Sequence, residues 1–580
     1  MYYGKNAEKE THMTSLTKRW QISPPITPQA AESLGDYPPV LRQLLYNRGY
    51  ATADQARSFL NAEPSFDPSP WGMTGVKPAV ERILFSLEHA EPIAVYGDYD
   101  VDGVTATALL VQTLKAMGGD VRGYIPNRFD EGYGLNPEAL TNLKADGIKL
   151  VITVDCGIRS PAEAAHAGSI GLDLIITDHH QPSEGHLPIA LAVINPKQPG
   201  DVYSDKDLAG VGLAYKLAQA LLERRPSDVL NPDALLDLVA LGTVADLAPL
   251  VGENRSLVRK GLMHIRSTQR QGLFSLANMA QLAIDRTTAT SIGFILGPRL
   301  NAAGRLDSAL AAFELLTTDD IMRAGQLAQQ LDSQNRERQA LTRKIQEHAE
   351  QLVREEDQAG WLLFAVHRDF NAGVVGLAAS RLTEIYYRPA VVGQVSDDTT
   401  RCSCRSIPEF HITQALDRCA DLLVRHGGHA AAAGFTVRNE NLEALKERLK
   451  AIAAEELDGQ ELRPVLNADM EIPLAELKPG LLQQLDILQP TGYGNPEAVF
   501  VTRNVKVLSS RAVGADGKHL KLTITDGKVT FDAIGFHLGD LQPDLPTRVD
   551  LIYTFETNEF NGRTTLQLNL KDVRPAGSPD

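Results

Sequence analysis

Residues 93–106 read IAVYGDYDVDGVTA, an apolar run that ends in three aspartates at alternate positions, Asp98, Asp100 and Asp102. Carboxylates this close repel one another and raise each other's pKa, so keeping all three ionised requires a compensating cation. Gly103 and then apolar residues at helical spacing follow, which predicts a strand, a loop carrying the acids, and a helix. Sites in open parallel sheets are built in such loops. The alternative is that these aspartates serve as helix N-caps and turn residues.

The strand, loop and helix pattern repeats to about residue 315. Short apolar runs (IAVYG, VRGYIP, KLVITV, LDLIIT and LAVINP) alternate with helical segments, which predicts a parallel α/β sheet covered by helices on both faces. KLVITV ends in Asp155, LDLIIT ends in Asp178, His179 and His180, and the apolar segment LVALGTVADLAPL carries Asp246. We expect these side chains to converge at the carboxyl edge of one sheet.

The chemistry of this set indicates divalent cations. Carboxylate-rich ligation with one imidazole suits Mn²⁺ or Mg²⁺ better than zinc. Six ligands are too many for a single octahedral ion that keeps water, so we predict two ions, ~3.5–4 Å apart, that share one carboxylate. Such a pair fits in-line displacement at phosphorus without a side-chain nucleophile. The predicted metal ligands are Asp98, Asp100, Asp102, Asp155, His179 and Asp246.

Composition narrows the class of protein. A chain of 580 residues predicts three or four domains. The net charge of −16 argues against a uniformly basic nucleic-acid coat but permits a locally basic channel. Four cysteines are too few for a disulfide scaffold, and the CxC pair has no partner pair at zinc-ligand spacing. No long apolar window or signal peptide is found, so we expect a cytoplasmic protein without a membrane segment.

Five regions are expected along the chain. Residues 1–70 form an N-terminal tail, disordered to about residue 20, and a helical adjunct; residues 71–316 form the α/β domain that carries the acids. Residues 317–358 form a long connecting helix, and irregular heptads argue against a coiled-coil dimer. Residues 359–460 form a second α/β domain, in which RHGGHAAAAGF predicts a phosphate approaching glycines before a helix start, or simply tight packing.

Residues 461–580 change class, because their apolar residues alternate at period two between Gly and Asn turns. This pattern predicts an antiparallel barrel of about five strands, of which the OB-fold is the commonest kind on nucleic-acid enzymes. Basic and aromatic residues in it are candidates for binding single strands, whereas in a plain β-domain the aromatics would be core. The candidates are Lys518, His519, Lys521, Lys528, Arg563, Phe531, Phe536, Tyr553 and Phe560.

The motifs GDYDVDG, VDCG, TDHH and GTVADLAPL resemble, in order, those of the DHH phosphoesterase superfamily. GPRLNAAGR, CSCRS and GGHAAAAGF extend the resemblance through a second, DHHA1-like domain, and TGYGNPEAVF is a weaker match. The resemblance covers roughly residues 40–575. It implies two α/β domains, DHH and DHHA1-like, joined by a long helix and followed by a C-terminal OB-fold barrel.

Site roles also follow from this resemblance. Asp100 and Asp102 match the metal-ligand pair, whereas Asp98 stands where many relatives have histidine. Asp155 matches the bridging carboxylate, and His180 is expected to face the scissile phosphate. The catalytic set is therefore Asp100, Asp102, Asp155, His179, His180 and Asp246.

The resemblance places substrate contacts in both domains. Asn301 and Arg305 match substrate-contacting positions, and His429 matches the histidine of the GGH motif beside Gly427 and Gly428. Arg128, Ser403 and Arg405 are expected to hold a 5′ phosphate, because a guanidinium can bind two phosphate oxygens at once.

The function implied is 5′ to 3′ hydrolysis of single-stranded DNA to mononucleotides, with Mn²⁺ or Mg²⁺, in recombination and repair. A monomer is expected, with a single-strand-binding protein and a RecQ-type helicase as partners. One alternative is an oligoribonuclease or cyclic-dinucleotide phosphodiesterase, but such relatives usually lack the barrel. The other is a noncatalytic scaffold, but such relatives have lost metal ligands that this chain retains.

Overall fold

The computed structural model describes residues 18–127, 131, 134–183, 185, 187–356, 360–560 and 563–578. Its N-terminal region contains a strand and three short helices, which form the predicted helical adjunct. Thr52 and Gln55 form a capping box that begins α3. These elements are β1 (Arg19–Ile22), α1 (Pro28–Ser33), α2 (Pro39–Asn47) and α3 (Ala53–Asn61).

The N-terminal elements pair and pack with residues that are far away along the chain. β1 pairs in parallel with β12 (Val465–Ala468), so the chain is regular from Arg19, whereas residues 1–17, in which disorder is expected, lie outside the described residues. Helices α2 and α3 bury Leu44, Leu45 and Phe59 against the core of the C-terminal barrel. The N-terminal helices therefore belong structurally to the barrel, which is more than 400 residues away along the chain.

A five-stranded parallel sheet forms the first α/β domain, in the order β3-β2-β4-β5-β6. The order reverses at β2, so the switch point lies between the carboxyl ends of β2 and β4, where open α/β sheets build their sites. The strands are β2 (Ile93–Tyr96), β3 (Val121–Tyr124), β4 (Leu150–Val154), β5 (Asp173–Thr177) and β6 (Ala192–Ile194).

Successive residues of β2 face two separate cores. Ile93 and Val95 join one hydrophobic cluster, whereas Ala94 and Tyr96 join another, so helices cover both faces of the sheet as the period-two geometry requires. The helices of the domain are α4 (Val76–Glu88), α5 (Val101–Ala116), α6 (Pro137–Ala145), α7 (Pro161–Ser169), α8 (Gly210–Arg224), α9 (Leu236–Ala245), α10 (Gly252–Arg266), α11 (Gln271–Met279), α12 (Ala289–Ser291), α13 (Gly297–Leu306) and α14 (Leu310–Thr317).

A single long helix, α15 (Ile321–Glu356), connects the two α/β domains. Its first half buries Leu327 and Leu331 in the core of the first domain, and its second half buries Ile345 and Val353 in the core of the second. The apolar residues of this helix are therefore shared between the cores of two domains. No helix among the described residues is long and apolar enough to cross a membrane.

The second α/β domain has a mixed five-stranded sheet in the order β10-β11-β9-β8-β7. Residues 427–434 lie on the antiparallel hairpin of β10 and β11, so the prediction that GGHAAAAG leads into a helix start is wrong. The elements are β7 (Leu363–His367), α16 (Val375–Tyr386), β8 (Ala390–Val395), β9 (Thr399–Arg405), α17 (Ile412–Asp417), β10 (Leu423–His429), β11 (Ala432–Arg438) and α18 (Leu442–Leu457).

The C-terminal region is a closed barrel, because β14 pairs with both β15 and β17. The pair β16 and β18 is parallel, which departs from the wholly antiparallel barrel expected. Phe531 and Tyr553 are core residues, whereas Phe536 is exposed. The side chains of Phe560 and Arg563 lie outside the described residues. The elements are β13 (Met470–Glu471), α19 (Pro479–Asp486), β14 (Val499–Val513), β15 (His519–Thr525), β16 (Thr530–Gly535), β17 (Arg548–Phe560) and β18 (Arg563–Pro575).

Candidate metal centre

The loop between β2 and α5 carries Asp98, Asp100 and Asp102. Asp100 is the N-cap of α5, because its Oδ1 accepts hydrogen bonds from the backbone N–H of Asp102 at 2.9 Å and of Gly103 at 3.1 Å. A Cβ atom at position 103 would lie 2.5 Å from the backbone nitrogen of Asp98, so only glycine fits there. The loop therefore both caps helix α5 and brings the three aspartates close together.

Asp102 is fixed by the start of another helix, α8. Its carboxylate is buried and accepts hydrogen bonds from the backbone N–H of Gly210 at 2.7 Å and of Val211 at 2.8 Å. The first N–H groups of a helix lack intrahelical partners and carry positive partial charge. They therefore hold this carboxylate in place and stabilise its negative charge.

Asp155 follows β4 with a φ of 62°, in the left-handed region that non-glycine residues rarely adopt. Such strain persists where the surrounding structure enforces it, and it is concentrated at functional sites. The side chain is buried, and its Oδ1 makes no hydrogen bond within the described part of the chain. A Cβ atom at Gly210 would lie 2.7 Å from that of Asp155, so the absence of a side chain at position 210 makes room for the carboxylate.

His179 directs one ring nitrogen at three carboxylates. Its Nε2 lies 3.1 Å from Asp155 Oδ1, 3.7 Å from Asp246 Oδ2 and 3.9 Å from Asp102 Oδ2. This buried nitrogen makes no hydrogen bond with any described residue. Buried polar atoms are normally hydrogen-bonded. A buried nitrogen and a buried carboxylate oxygen that face each other without hydrogen bonds are therefore typical of a metal site without its metal.

His180 points its Nδ1 at Asp178 Oδ1, 2.8 Å away, and Asp178 also accepts from the backbone N–H of Ile158 at 2.9 Å. Burial lowers the pKa of His180, but the hydrogen bond and charge of Asp178 more than offset this and raise it. Asp178 is thus a positioning residue for His180. The sequence placed it at the end of a strand without giving it a role.

Asp246 comes from the end of helix α9, so its segment is not a strand of the sheet. The prediction that a strand of the sheet carries Asp246 is wrong. A helix carries it instead, and the carboxyl end of that helix lies at the sheet edge. α9 packs closely on α5 because Gly242 has no side chain. A Cβ atom at this position would lie 2.8 Å from Asp102 Oδ1. Glycines at positions 210 and 242, which the sequence did not single out, therefore allow the acids to converge.

The electrostatics of the cluster favour a cation. Burial, followed by the charges of the neighbouring aspartates, raises the pKa of Asp155 well above its usual range. The same causes raise the pKa of Asp246 to about 9 and that of Asp102 to about 7. Burial and then the charge of His180 lower the pKa of His179 to about 3, so this imidazole is neutral and able to bind a metal at pH 7.

Three overlapping groups of side chains have ligand atoms within 4.8 Å of one another. Asp155 belongs to two of them, which is what a carboxylate shared by two ions requires. Oxygen-rich donors with one or two imidazoles fit Mn²⁺ or Mg²⁺. The groups are Asp98, Asp100 and Asp155; Asp102, His179 and Asp246; and Asp155, His179 and His180.

A cavity of about 470 Å³ joins this loop to the second domain. It is lined by Tyr99, which lies between two predicted ligands, and by Ser403, Gly427, Arg401 and Arg425. Ser403 and Gly427 are among the predicted substrate residues, whereas Tyr99, Arg401 and Arg425 are not. The alternation in RCSCR is a sequence signal for Arg401, because period two places residues 401, 403 and 405 on one face of β9 and buries Cys402 and Cys404 on the other.

The other predicted substrate residues are dispersed around this region. Arg305 Nη1 donates to the carbonyl of Gly373 at 3.3 Å and so joins α13 to the second domain. Arg405 is half-buried beside the start of α16, and burial lowers its pKa. Asn301 is half-exposed on α13, Gly428 and His429 are exposed at the end of β10, and Arg128 lies outside the described residues.

Family models match three parts of the chain: the DHH family N-terminal domain at residues 92–243, the DHHA1 domain at 359–455 and the RecJ OB domain at 468–572. With the acidic cluster at the switch point, these define a metal-dependent DHH-family phosphoesterase. The chain is 37% identical to the single-stranded-DNA-specific exonuclease RecJ of Salmonella typhimurium, over 94% of this chain and 98% of the relative. It belongs to the RecJ family.

Other relatives agree with this assignment. The RecJ exonuclease of Bacillus subtilis is 38% identical over 97% of this chain and 71% of its own length. The crystal structure of Thermus thermophilus RecJ with Mn²⁺ matches with a TM-score of 0.83 and 30% identity, over 97% of this chain and 80% of that chain. The structure with Mg²⁺ matches with a TM-score of 0.78 and 29% identity, over 97% and 79%. The predicted architecture and the prediction of Mn²⁺ or Mg²⁺ are confirmed.

Proposed function

We propose that this protein is an exonuclease that hydrolyses single-stranded DNA from its 5′ end to mononucleotides, using two divalent ions, in DNA recombination and repair. The observation that carries the proposal is the ligand group of Asp98, Asp100 and Asp155, in which the buried Oδ1 of Asp155 lies 3.1 Å from His179 Nε2 and makes no hydrogen bond within the described residues. The RecJ relatives are named as exonucleases specific for single-stranded DNA.

Mn²⁺ or Mg²⁺ would be held by the predicted ligands, Asp98, Asp100, Asp102, Asp155, His179 and Asp246. When bound, such a pair of ions lowers the pKa of the attacking water and neutralises charge on the phosphoryl oxygens. The protein's own contribution is to fix the donors in advance, through the α8 N-terminus at Asp102 and the enforced backbone of Asp155.

His180 is the proposed contact to the scissile phosphate. The Nδ1 of His180 donates to Asp178, whose hydrogen bond and charge raise the pKa of the ring. We assign its Nε2–H as the donor to a phosphoryl oxygen. This charge-assisted hydrogen bond grows stronger as negative charge builds on that oxygen during hydrolysis.

The direction of hydrolysis is proposed to come from the cavity between the two domains. Ser403 and Arg405, with Arg128, are the proposed holders of the 5′ phosphate, and Arg401 and Arg425 add positive charge to the cavity wall. Because Tyr99 lines this cavity and follows Asp98 directly, a terminal phosphate there lies beside the metal loop. Asn301, Arg305, Gly427, Gly428 and His429 are the further proposed substrate contacts.

Each domain is assigned a part in the proposed reaction. We assign residues 71–316 to catalysis, 359–460 to substrate binding and 461–580 to binding of the single strand, with 317–358 as the connecting helix. A monomer that works with a single-strand-binding protein and a RecQ-type helicase in the cytoplasm is proposed. The free, buried state of all four cysteines supports a reducing compartment.

The test is digestion of 5′-labelled single-stranded DNA beside a dinucleotide, with Mn²⁺ and with EDTA. We expect labelled mononucleotide as the first product from the strand, only with the metal. Preference for the dinucleotide would favour the oligoribonuclease or cyclic-dinucleotide phosphodiesterase alternative, and inertness toward both substrates would favour a scaffold.

A further inference from the structure

The turn at residues 491–496, TGYGNP, lies against the segment that follows Asp246. The backbone N–H of Leu250 donates to the carbonyl of Tyr493 at 2.7 Å. A Cβ atom at Gly494 would lie 3.0 Å from that of Pro249. Leu250 is four positions after Asp246, a chain length of at most roughly 14 Å. The turn that precedes the barrel is therefore a neighbour of the metal centre.

This turn is held rigidly. The side chain of Asn495 is fully buried, and its Nδ2 donates to the carbonyls of Leu488 at 2.9 Å and Pro490 at 2.8 Å. Its Oδ1 accepts from Arg48 Nε at 3.0 Å. Yet the aromatic residue at the tip, Tyr493, is 65% exposed, so core packing does not account for it.

Two further apolar side chains are exposed on the segments around Asp246. Leu247 directly follows it, is 69% exposed and has a φ of 59°. Phe294 is 80% exposed and lies on a π-helical turn, Ile292–Leu296, that contacts α9. π-helical turns occur frequently at functional sites. Three exposed apolar groups thus lie on three segments that meet where α9 ends.

We propose that Tyr493 is a stacking residue for bases of the single-stranded DNA substrate, beside the metal centre on the side of Asp246. Leu247 and Phe294 are its apolar neighbours along the same path. Proteins that bind single strands without sequence preference use aromatic rings in this way, because every base offers a stacking face. The inference rests on the proposed exonuclease function and adds a positioning residue to it.

A protein partner could also cover exposed apolar groups. Continuity with a predicted metal ligand favours the substrate, because a strand whose phosphate reaches Asp246 brings its adjoining nucleotides to the segments that flank this residue. The sugar and base of each nucleotide extend beyond its phosphate, and a rigid ring orders them at little entropic cost.

The test compares Tyr493→Ala with Tyr493→Phe, and with Phe274→Ala as a matched control for loss of an exposed ring. Phe274 is 46% exposed on α11, which packs on α14 and α15. Binding of fluorescent oligo-dT is measured in EDTA, and KM and kcat are measured with Mn²⁺. We expect Tyr493→Ala to bind roughly 5- to 150-fold more weakly, with the loss in KM, and Tyr493→Phe to bind within twofold of wild type.

A 2-aminopurine base moved along the oligonucleotide supplies a direct readout, since its emission is quenched on stacking. Wild type and Tyr493→Phe should quench it at one or two positions, and Tyr493→Ala should not. Equal KM and equal quenching in Tyr493→Ala, with strand digestion intact, would overturn the stacking assignment alone. A wild-type protein that neither binds nor digests the strand would overturn the proposed function and the stacking assignment together.

Discussion

Adding Mn²⁺ to the metal-free protein at pH 7 should release protons from the cluster. The pKa of Asp246 is raised to about 9, so this carboxyl is protonated at pH 7, and the pKa of Asp155 is raised well above its usual range. Asp102, with a pKa of about 7, is about half protonated, and His179, with a pKa of about 3, is neutral. Ligands must be deprotonated to bind a metal, so Asp246 and Asp102 together should release about one to two protons.

Isothermal titration calorimetry in two buffers of different ionisation enthalpy measures this number directly. At pH 7 the heat of Mn²⁺ binding should differ between the buffers in proportion to the protons released, and at pH 9.5 the number should fall by about one. Asp155→Ala is the control, because the shared ligand is missing. Equal heats in both buffers at pH 7 would refute the reasoning, since they would mean that the carboxyls are already ionised without metal.

The same pKa shifts make the folding stability of the metal-free protein depend on pH. A carboxyl whose folded pKa is raised contributes stability that is fully present below its unfolded pKa of about 4 and is lost as pH rises through the folded value. For Asp102 and Asp246 that loss runs from about pH 4 to about 7 and 9. The melting temperature in EDTA should therefore fall across this range, and Mn²⁺ should raise it most at the alkaline end.

Three further predictions concern single residues. Asp155→Ala should abolish cleavage while strand binding, measured by gel shift in EDTA, stays near wild type; retained turnover would show that another group is shared by the ions. Gly210→Ala should weaken Mn²⁺ binding about tenfold or more, because the new Cβ would meet Asp155, whereas Gly212→Ala, whose Cβ would lie 3.4 Å from Leu208, should not. Arg255→Met should lower the free energy of unfolding by about 3 kcal/mol or more in urea titrations, because its buried guanidinium donates to four carbonyls; Arg259→Met, which loses one such bond, should cost clearly less.

The strands and their terminal acids could be predicted because parallel strands bring their carboxyl ends to one edge. Asp98, Asp155 and His179 follow runs whose residues are buried on both faces, and this pattern is local. Asp246 follows LVALGTVA, which is also buried on every side, so its sequence lacks the 3.6-residue period that distinguishes a helix from a strand. Its convergence with the other acids could be predicted from its place at the end of an apolar run, whereas the helical form of that run could not.

Features that depend on distant parts of the chain were not predictable from local pattern. β1 pairs with β12, and Arg255 donates to carbonyls of Phe59, Leu488, Gln489 and Pro490. A buried arginine without a carboxylate partner has no sequence signature. The Gly- and Ala-rich run at residues 427–434 forms a hairpin because its small residues suit close strand pairing as well as helix packing, and composition does not separate the two.

The two aspartates that face His179 from α5 and from the end of α9 show how the fold sets the ligand charges. Asp102 is fully buried and Asp246 keeps a quarter of its side chain exposed, so burial alone would raise the pKa of Asp102 more. The order is reversed, about 7 against about 9, because the N–H groups of Gly210 and Val211 lower the pKa of Asp102. Helix α8 therefore keeps one ligand close to ionisation at neutral pH. Replacing Val211 by proline would remove one of these N–H groups, and we expect Mn²⁺ binding to require a higher pH in that variant.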